Sequence, residues 1–189
     1  MKRGLFLAGC LLASVTTFAQ TWTVDKAHAK VGFTVTHLLV SDVDGNFKTF
    51  DAKITSSKPD FTDAVVELTA DVNSIDTGND RRDADLKSDK YFDAAKFPTM
   101  TFKSTSFQKV EGKKYKVAGN LTLHGVTKPV TLDVTLNGPI QHPMNKKDVA
   151  GFKIAGELKR SDFGIGTGTP TAVVSDEVTI RANAEFGKQ

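Results

Sequence analysis

Four histidines, His28, His37, His124 and His142, carry the widest chemical reach in this chain. Each lies in a different segment, and none sits in an HExxH or other short metal-ligand spacing. His28 and His37 with Asp25 form the one grouping with a coordinating sense, a set able to hold zinc if the fold brings it together. Polar positions at strand ends or a pocket rim account for the same residues without a metal, so no metal ligand is assigned. There is no GxSxG element, and Cys10 is the only cysteine, so neither a serine-hydrolase elbow nor a CxxC redox pair is available. The sequence therefore assigns no catalytic residue and no cofactor, and it is read as that of a non-enzyme.

Two further stretches invite a chemical reading. Gly164-Ile165-Gly166-Thr167-Gly168 has the look of a phosphate loop but lacks a following Lys-Ser/Thr and a following helix, so it reads as a loop. Arg81-Arg82-Asp83-Ala84-Asp85 is a dense charge cluster. A solvated helix face accounts for it, while in a binding role Arg81 or Arg82 meets an anionic head group through the planar guanidinium.

The elements that must position these groups are strands. Apolar residues alternate with polar ones through Val31–Val35, Ala64–Val72, Met100–Phe102, Tyr115–Leu123, Val130–Leu136, Phe152–Leu158 and Val178–Phe186. Successive side chains on a strand face opposite ways, so each run has one apolar and one wet face. Turn residues separate the runs at Asp44-Gly45-Asn46, Ser57-Lys58-Pro59-Asp60, Glu111-Gly112-Lys113 and Asn137-Gly138-Pro139, and Glu111-Gly112 reads as a hairpin. His37 to Val43 is expected to form a short helical turn. Asn79 to Ala95 is expected to hold a short helix capped by Thr77 or Asn79 and stopped before Pro98.

The fold expected is all-β: an extended antiparallel barrel of about eight strands with one or two short helices. Closing the sheet removes exposed edges and leaves room for one small ligand, although a sandwich shares the alternation and a tapered core could fill the interior. An outer-membrane barrel is disfavoured, because one Trp and two Tyr are too few for two aromatic girdles.

At the start, Lys2 and Arg3 precede a short apolar run, and Thr17-Phe18-Ala19 places small residues where a signal peptidase cuts. Residues 1–19 are read as a signal peptide, 20–189 as one domain, and the destination as the periplasm. The run is too short for a membrane span. Leu7-Ala8-Gly9-Cys10 resembles a lipobox, but it begins far sooner than the ~7–15 apolar residues of a usual leader allow, so lipid anchoring at Cys10 is disfavoured. A formal net charge of +3 over 189 residues is too weak for a nucleic-acid binder.

Several blocks in order carry a resemblance. They are Trp22-Thr23-Val24-Asp25 with His28, Phe33 and His37; Gly45-Asn46-Phe47 with Phe50; Arg82-Asp83, Leu86-Lys87-Ser88 and Tyr91-Phe92-Asp93-Ala94, continued by Phe97-Pro98 and Thr101-Phe102; Gly119 through Pro129; and Arg160 with Asp162-Phe163-Gly164. Together they resemble the YceI-like family of bacterial periplasmic polyisoprenoid-binding proteins. The resemblance implies a lipocalin-like barrel with a hydrophobic tunnel. It also implies binding of a long isoprenoid, as a quinone tail or polyprenyl phosphate, by a carrier, buffer or storage protein. Ala29 stands where the family usually has Ser, and Asp85 where it often has His. Asp85 places an acid beside Arg82 and makes that position less welcoming to phosphate.

An apolar tail would be held by burial, at about 25 cal/mol per Å² of apolar area. Phe33, Phe47, Phe92, Phe97, Met100, Phe102 and Phe152 are candidate wall residues, and Val35, His37, Phe50, Arg82 and Leu86 complete the candidate ligand-binding set. Transient membrane contact follows from an isoprenoid cargo, and a homodimer is the commonest oligomer to expect. The alternatives are a metal-dependent or stress-related protein using a His/Asp site at the barrel rim, and a barrel with a filled core.

Overall fold

A computed structural model describes residues 19–189. The signal-peptide reading and Cys10 lie outside the described residues, apart from Ala19. Ten strands run in one antiparallel sheet: β1 (Gln20–His37), β2 (Ser41–Phe47), β3 (Phe50–Ser56), β4 (Val65–Asp71), β5 (Ile75–Asp76), β6 (Thr99–Glu111), β7 (Lys114–Leu123), β8 (Val126–Gln141), β9 (Asp148–Lys159) and β10 (Glu177–Lys188). One α-helix, α1 (Asp80–Lys87), and 3₁₀ turns at Val72–Ser74 and Arg160–Phe163 interrupt them.

The sheet closes where β10 pairs with β1, from Trp22 opposite Lys188 to Thr34 opposite Thr179. Eight strands make the closed barrel. The first part of β1 pairs with β3, the second with β2, and β5 adds to β2 at one end. Closure leaves no long free edge for another chain to pair with.

Local pattern dictates the inside and outside. In β7, Tyr115, Val117, Gly119, Leu121 and Leu123 are buried while Lys114, Lys116 and Asn120 are exposed. In β6 the register shifts between Ser104 and Ser106, and the extra residue reverses the alternation, so Phe107 faces inward after Met100, Phe102 and Ser104. On the outer wall Glu67 lies opposite Lys53 on one neighbouring strand and Lys103 on the other, with contacts of 2.8 and 2.9 Å. Those two ammonium groups hold the Glu67 carboxyl down to about 2.

The expected hairpin at Glu111-Gly112 is present, with Glu111 opposite Lys114. The helix expected between Asn79 and Ala95 is α1; the Asn79 side chain accepts a hydrogen bond from the Arg82 amide and caps it. His37–Val43 differs from expectation. It is the end of β1, a tight turn over residues 38–40, and the start of β2, in register from Val31–Phe47 to His37–Ser41. Sheet pairing on both sides overrides the local sequence there.

Candidate functional site

The barrel encloses a cavity of about 380 Å³, within the size range of small-ligand pockets. Val, Leu, Ile, Phe and Ala side chains from the barrel strands form nearly all of its wall. The filled-core alternative therefore gives way to an open interior.

Glycine shapes the bore. Gly45 lies opposite Phe33 across β1 and β2, and a Cβ at Gly45 would overlap the Phe33 ring. Gly119, opposite Ser104 and diagonal to Phe102, would likewise drive a Cβ into the Phe102 ring. Both rings thus lie flat against the wall over a position without a side chain, and the lumen stays clear.

The two ends differ. The lower end, where β1 begins and β10 ends, is crossed by the loop between β3 and β4. Phe61 in that loop is fully buried (0 % exposed) and has a left-handed backbone, φ 58°. Its ring centroid lies 5.2 Å from that of Trp22 and 5.4 Å from that of Phe152, which also packs edge-on against Phe107 and Phe186. Such edge contacts are favourable beyond their burial. The Tyr115 hydroxyl donates to the Asp60 carbonyl at 2.9 Å. Asp63 accepts from the Ser56 and Ser57 hydroxyls and from the Ser57 and Lys58 amides. Burial pushes the Asp63 carboxyl up, but these bonds outweigh it and hold the group well below the usual range.

The upper end carries the polar wall groups. His37, Thr77, Arg82, Asp85, Glu157 and Arg160 all border the cavity there, together with Tyr91. Arg82 donates through Nε to the Thr77 hydroxyl at 2.8 Å and through Nη2 to the Thr77 carbonyl at 2.7 Å. Arg160 is buried and donates to five backbone carbonyls, those of Ser175, Ile165, Gly166, Thr169 and Val174. The glycine loop thus turns carbonyls toward a cation, the opposite polarity to a phosphate cradle. The Tyr91 and Thr169 hydroxyls share a bond of 2.9 Å, and His124 Nδ1 donates to the Phe163 carbonyl at 2.9 Å. Asp83 accepts from the Thr77 amide at 2.9 Å and from its hydroxyl at 2.5 Å. Most of the polar motif residues therefore tie the upper loops to the barrel.

Phe33, Val35, His37, Phe47, Phe50, Arg82, Leu86, Phe92, Met100, Phe102 and Phe152 all line this cavity. Phe97 does not. Its ring packs 4.9 Å from the His124 ring and lies over Gly125, under the β7–β8 turn, with Lys96 above it. Sequence reasoning missed Tyr91, Phe107, Phe186, Glu157 and Arg160 as lining residues. The inward phase of the β10 alternation could have found Phe186; the bulge in β6 hid Phe107.

The metal grouping resolves differently from expectation. Between Asp25 and Ala29 the β1–β10 register slips, so Lys26, Ala27 and His28 bulge outward. His28 Nδ1 donates to Asp25 Oδ2 at 2.8 Å, and Glu185 lies beside the pair. The Asp25 carboxylate raises the His28 pKa, and the bond from His28 lowers that of Asp25. His37 stands at the far end of β1, on the cavity, and is not part of this group. The pair sits on the outer wall, not at the rim, because Asp25 and Glu185 occupy outward positions opposite each other.

The fold and the cavity together define a class: an antiparallel binding barrel with an apolar lumen, plugged at one end and polar at the other. Within that class the chain belongs to the YceI-like family, whose domain description matches residues 22–186. It is 40% identical over 188 residues to Protein YceI of Salmonella newport (strain SL254), covering 98% of this chain and 96% of that protein. The crystal structure of Burkholderia cenocepacia BcnA is 30% identical with a TM-score of 0.78, covering 86% of this chain and 98% of that one. A polyisoprenoid-binding domain from Saccharophagus degradans shares the fold, with a TM-score of 0.64 at 18% identity over 89% of this chain and 98% of that domain.

Proposed function

We propose that this protein binds one long-chain isoprenoid lipid in the barrel, tail toward the Phe61 plug and head toward Arg82, as an exported carrier or store. The observation that carries the reading is a continuous apolar bore with its polar groups gathered at one end. A hydrocarbon tail has no hydrogen bonds to satisfy, and burial alone retains it. Membership of the YceI-like family and the likeness to a polyisoprenoid-binding domain support the ligand class. Binding without catalysis is the simplest use of such a wall.

The upper rim favours a neutral polar head, such as a quinone, over a phosphate. Arg82 and Arg160 already donate to protein oxygens, and two acids, Asp85 and Glu157, border the same cavity. Native mass spectrometry of purified protein is expected to show one bound isoprenoid. Exchange with a long-chain quinone and a polyprenyl phosphate of equal tail length is expected to favour the quinone. Protein that stays empty with both lipids contradicts the reading. Phe102→Asp puts a charge on the apolar wall and is expected to abolish binding. Export to the periplasm is part of the proposal, and a mature chain that begins at Gln20 when expressed in a bacterium is its check.

A further inference from the structure

A run of exposed apolar residues lies outside the cavity. Leu38, Leu39 and Val40 join β1 to β2 and are 53%, 73% and 84% exposed, with Val173 beside them. Leu38 and Leu39 both hold left-handed backbone, φ 53° and 58°. Leucine has no steric preference for that region, and glycine or asparagine would adopt it more easily. The turn is nevertheless well anchored. The Val40 amide donates to the His37 carbonyl at 3.0 Å, and the Leu38 amide to the Val173 carbonyl at 2.9 Å. Just behind it, the Thr36 amide donates to the Ser175 hydroxyl at 3.0 Å, and His37 bridges to Val174. Three consecutive apolar side chains are thus held out into water on a fixed tip, at a backbone conformation ill suited to them.

The position of the tip adds the second observation. His37 and Val174, which pair at its foot, both line the cavity at the upper end. The tip therefore rises from the edge of the cavity mouth, beside His37 and Val174. A convex tip one turn long fits a soft apolar medium better than a preformed groove. The residues that follow the tip, Ser41, Asp42 and Asp44, carry no positive charge, so a contact made by the tip rests on apolar burial.

We propose that Leu38-Leu39-Val40 inserts into the interfacial layer of a phospholipid bilayer and seats the upper mouth of the barrel on the membrane. This inference rests on the lipid-binding reading for its purpose, but not for its test. Wild type and Leu39→Asp are compared by flotation with vesicles of phosphatidylcholine alone, which contain no isoprenoid. Isoprenoid binding is measured separately, in detergent, by native mass spectrometry. Wild type is expected to float, and Leu39→Asp to lose about tenfold in vesicle partitioning while still binding isoprenoid, because it removes apolar area and adds a charge at the tip, outside the cavity. Raising the salt is expected to leave wild-type partitioning unchanged, since the contact is apolar.

Wild type that never floats overturns the proposal and leaves the lipid-binding reading intact. Flotation unchanged in both Leu39→Asp and a triple Leu38→Ser, Leu39→Ser, Val40→Ser variant also overturns it. So does a wild-type dimer that dissociates in Leu39→Asp and ignores vesicles, which would assign the tip to a second copy of this chain. Flotation lost with the tip, in a protein that binds no isoprenoid, would support the tip and refute the lipid reading.

Discussion

The two ends of this barrel are built from different chemistry. The lower end is closed by rings: Phe61 is wedged between Trp22 and Phe152, with Phe107 and Phe186 behind. The upper end is held by hydrogen bonds, with one guanidinium gathering five carbonyls and Asp83, His124 and Tyr91 tying loops together. Ring packing is dense and excludes water, whereas a polar mesh keeps its shape while leaving a mouth. One strand set thus forms a bore closed at one end and polar at the other, an asymmetry that would orient the proposed lipid without a specific contact to its tail.

The contrast breaks most severely at the plug. Phe61→Ala is expected to lower stability by about 3–5 kcal/mol in denaturant titration, because it removes a fully buried ring. It should also let a longer tail enter, seen as heavier bound lipid. Arg160→Met acts on the other end. Leaving buried carbonyls unpaired is expected to cost about 2–3 kcal/mol and to raise amide exchange over residues 160–176, with the plug amides unchanged.

Gly45→Ala tests the bore itself. It is expected to cost about 1 kcal/mol of stability, while displacement of the Phe33 ring into the lumen weakens isoprenoid binding measured by titration. Adding Phe33→Leu should restore the binding, since it removes the clashing ring.

Acid separates the two ends at smaller amplitude. The Asp63 pKa is lowered, so its bonds stabilise the folded protein above the ordinary carboxyl pKa of 3.8 and are lost as pH falls below that value. The plug-loop amides are therefore expected to show lower protection, measured as exchange relative to the intrinsic rate at each pH, at pH 3 than at pH 6, an effect absent in Asp63→Asn. The Glu67 triad on the outer wall follows the same sign, with its contribution present above 4.5 and lost as pH falls toward about 2. Glu67→Gln is expected to flatten that part of a melting-temperature profile slightly, because exposed pairs contribute little.

Much of this architecture is legible in the chain as written. Period-two alternation marks seven of the barrel strands, because a strand with one dry face must repeat every second residue. β3 is short and its Phe50-Asp51-Ala52-Lys53-Ile54 pattern adjoins a turn, so it escapes notice. Features that depend on a register slip are not legible. The bulge at Lys26–His28 brings Glu185 to Asp25 and His28, where sequence spacing had suggested His37. Phe61 lies in a loop with no periodicity, so nothing local marks it as the plug. Phe97 belongs to the aromatic set by composition, yet Gly125 opens a place for its ring beneath the β7–β8 turn instead. The arginines divide likewise, since only the fold shows that Arg160 turns inward to its own loop.

The central claim, a tail-down and head-up lipid, is tested most directly by photo-cross-linking. An isoprenoid quinone carrying a photoreactive group at the tail end would be irradiated in the barrel and its adducts mapped by peptide mass spectrometry. Adducts are expected at the lower wall, on Phe107, Phe152 or Phe186. Adducts confined to Leu86, Tyr91 or the outer wall would contradict it.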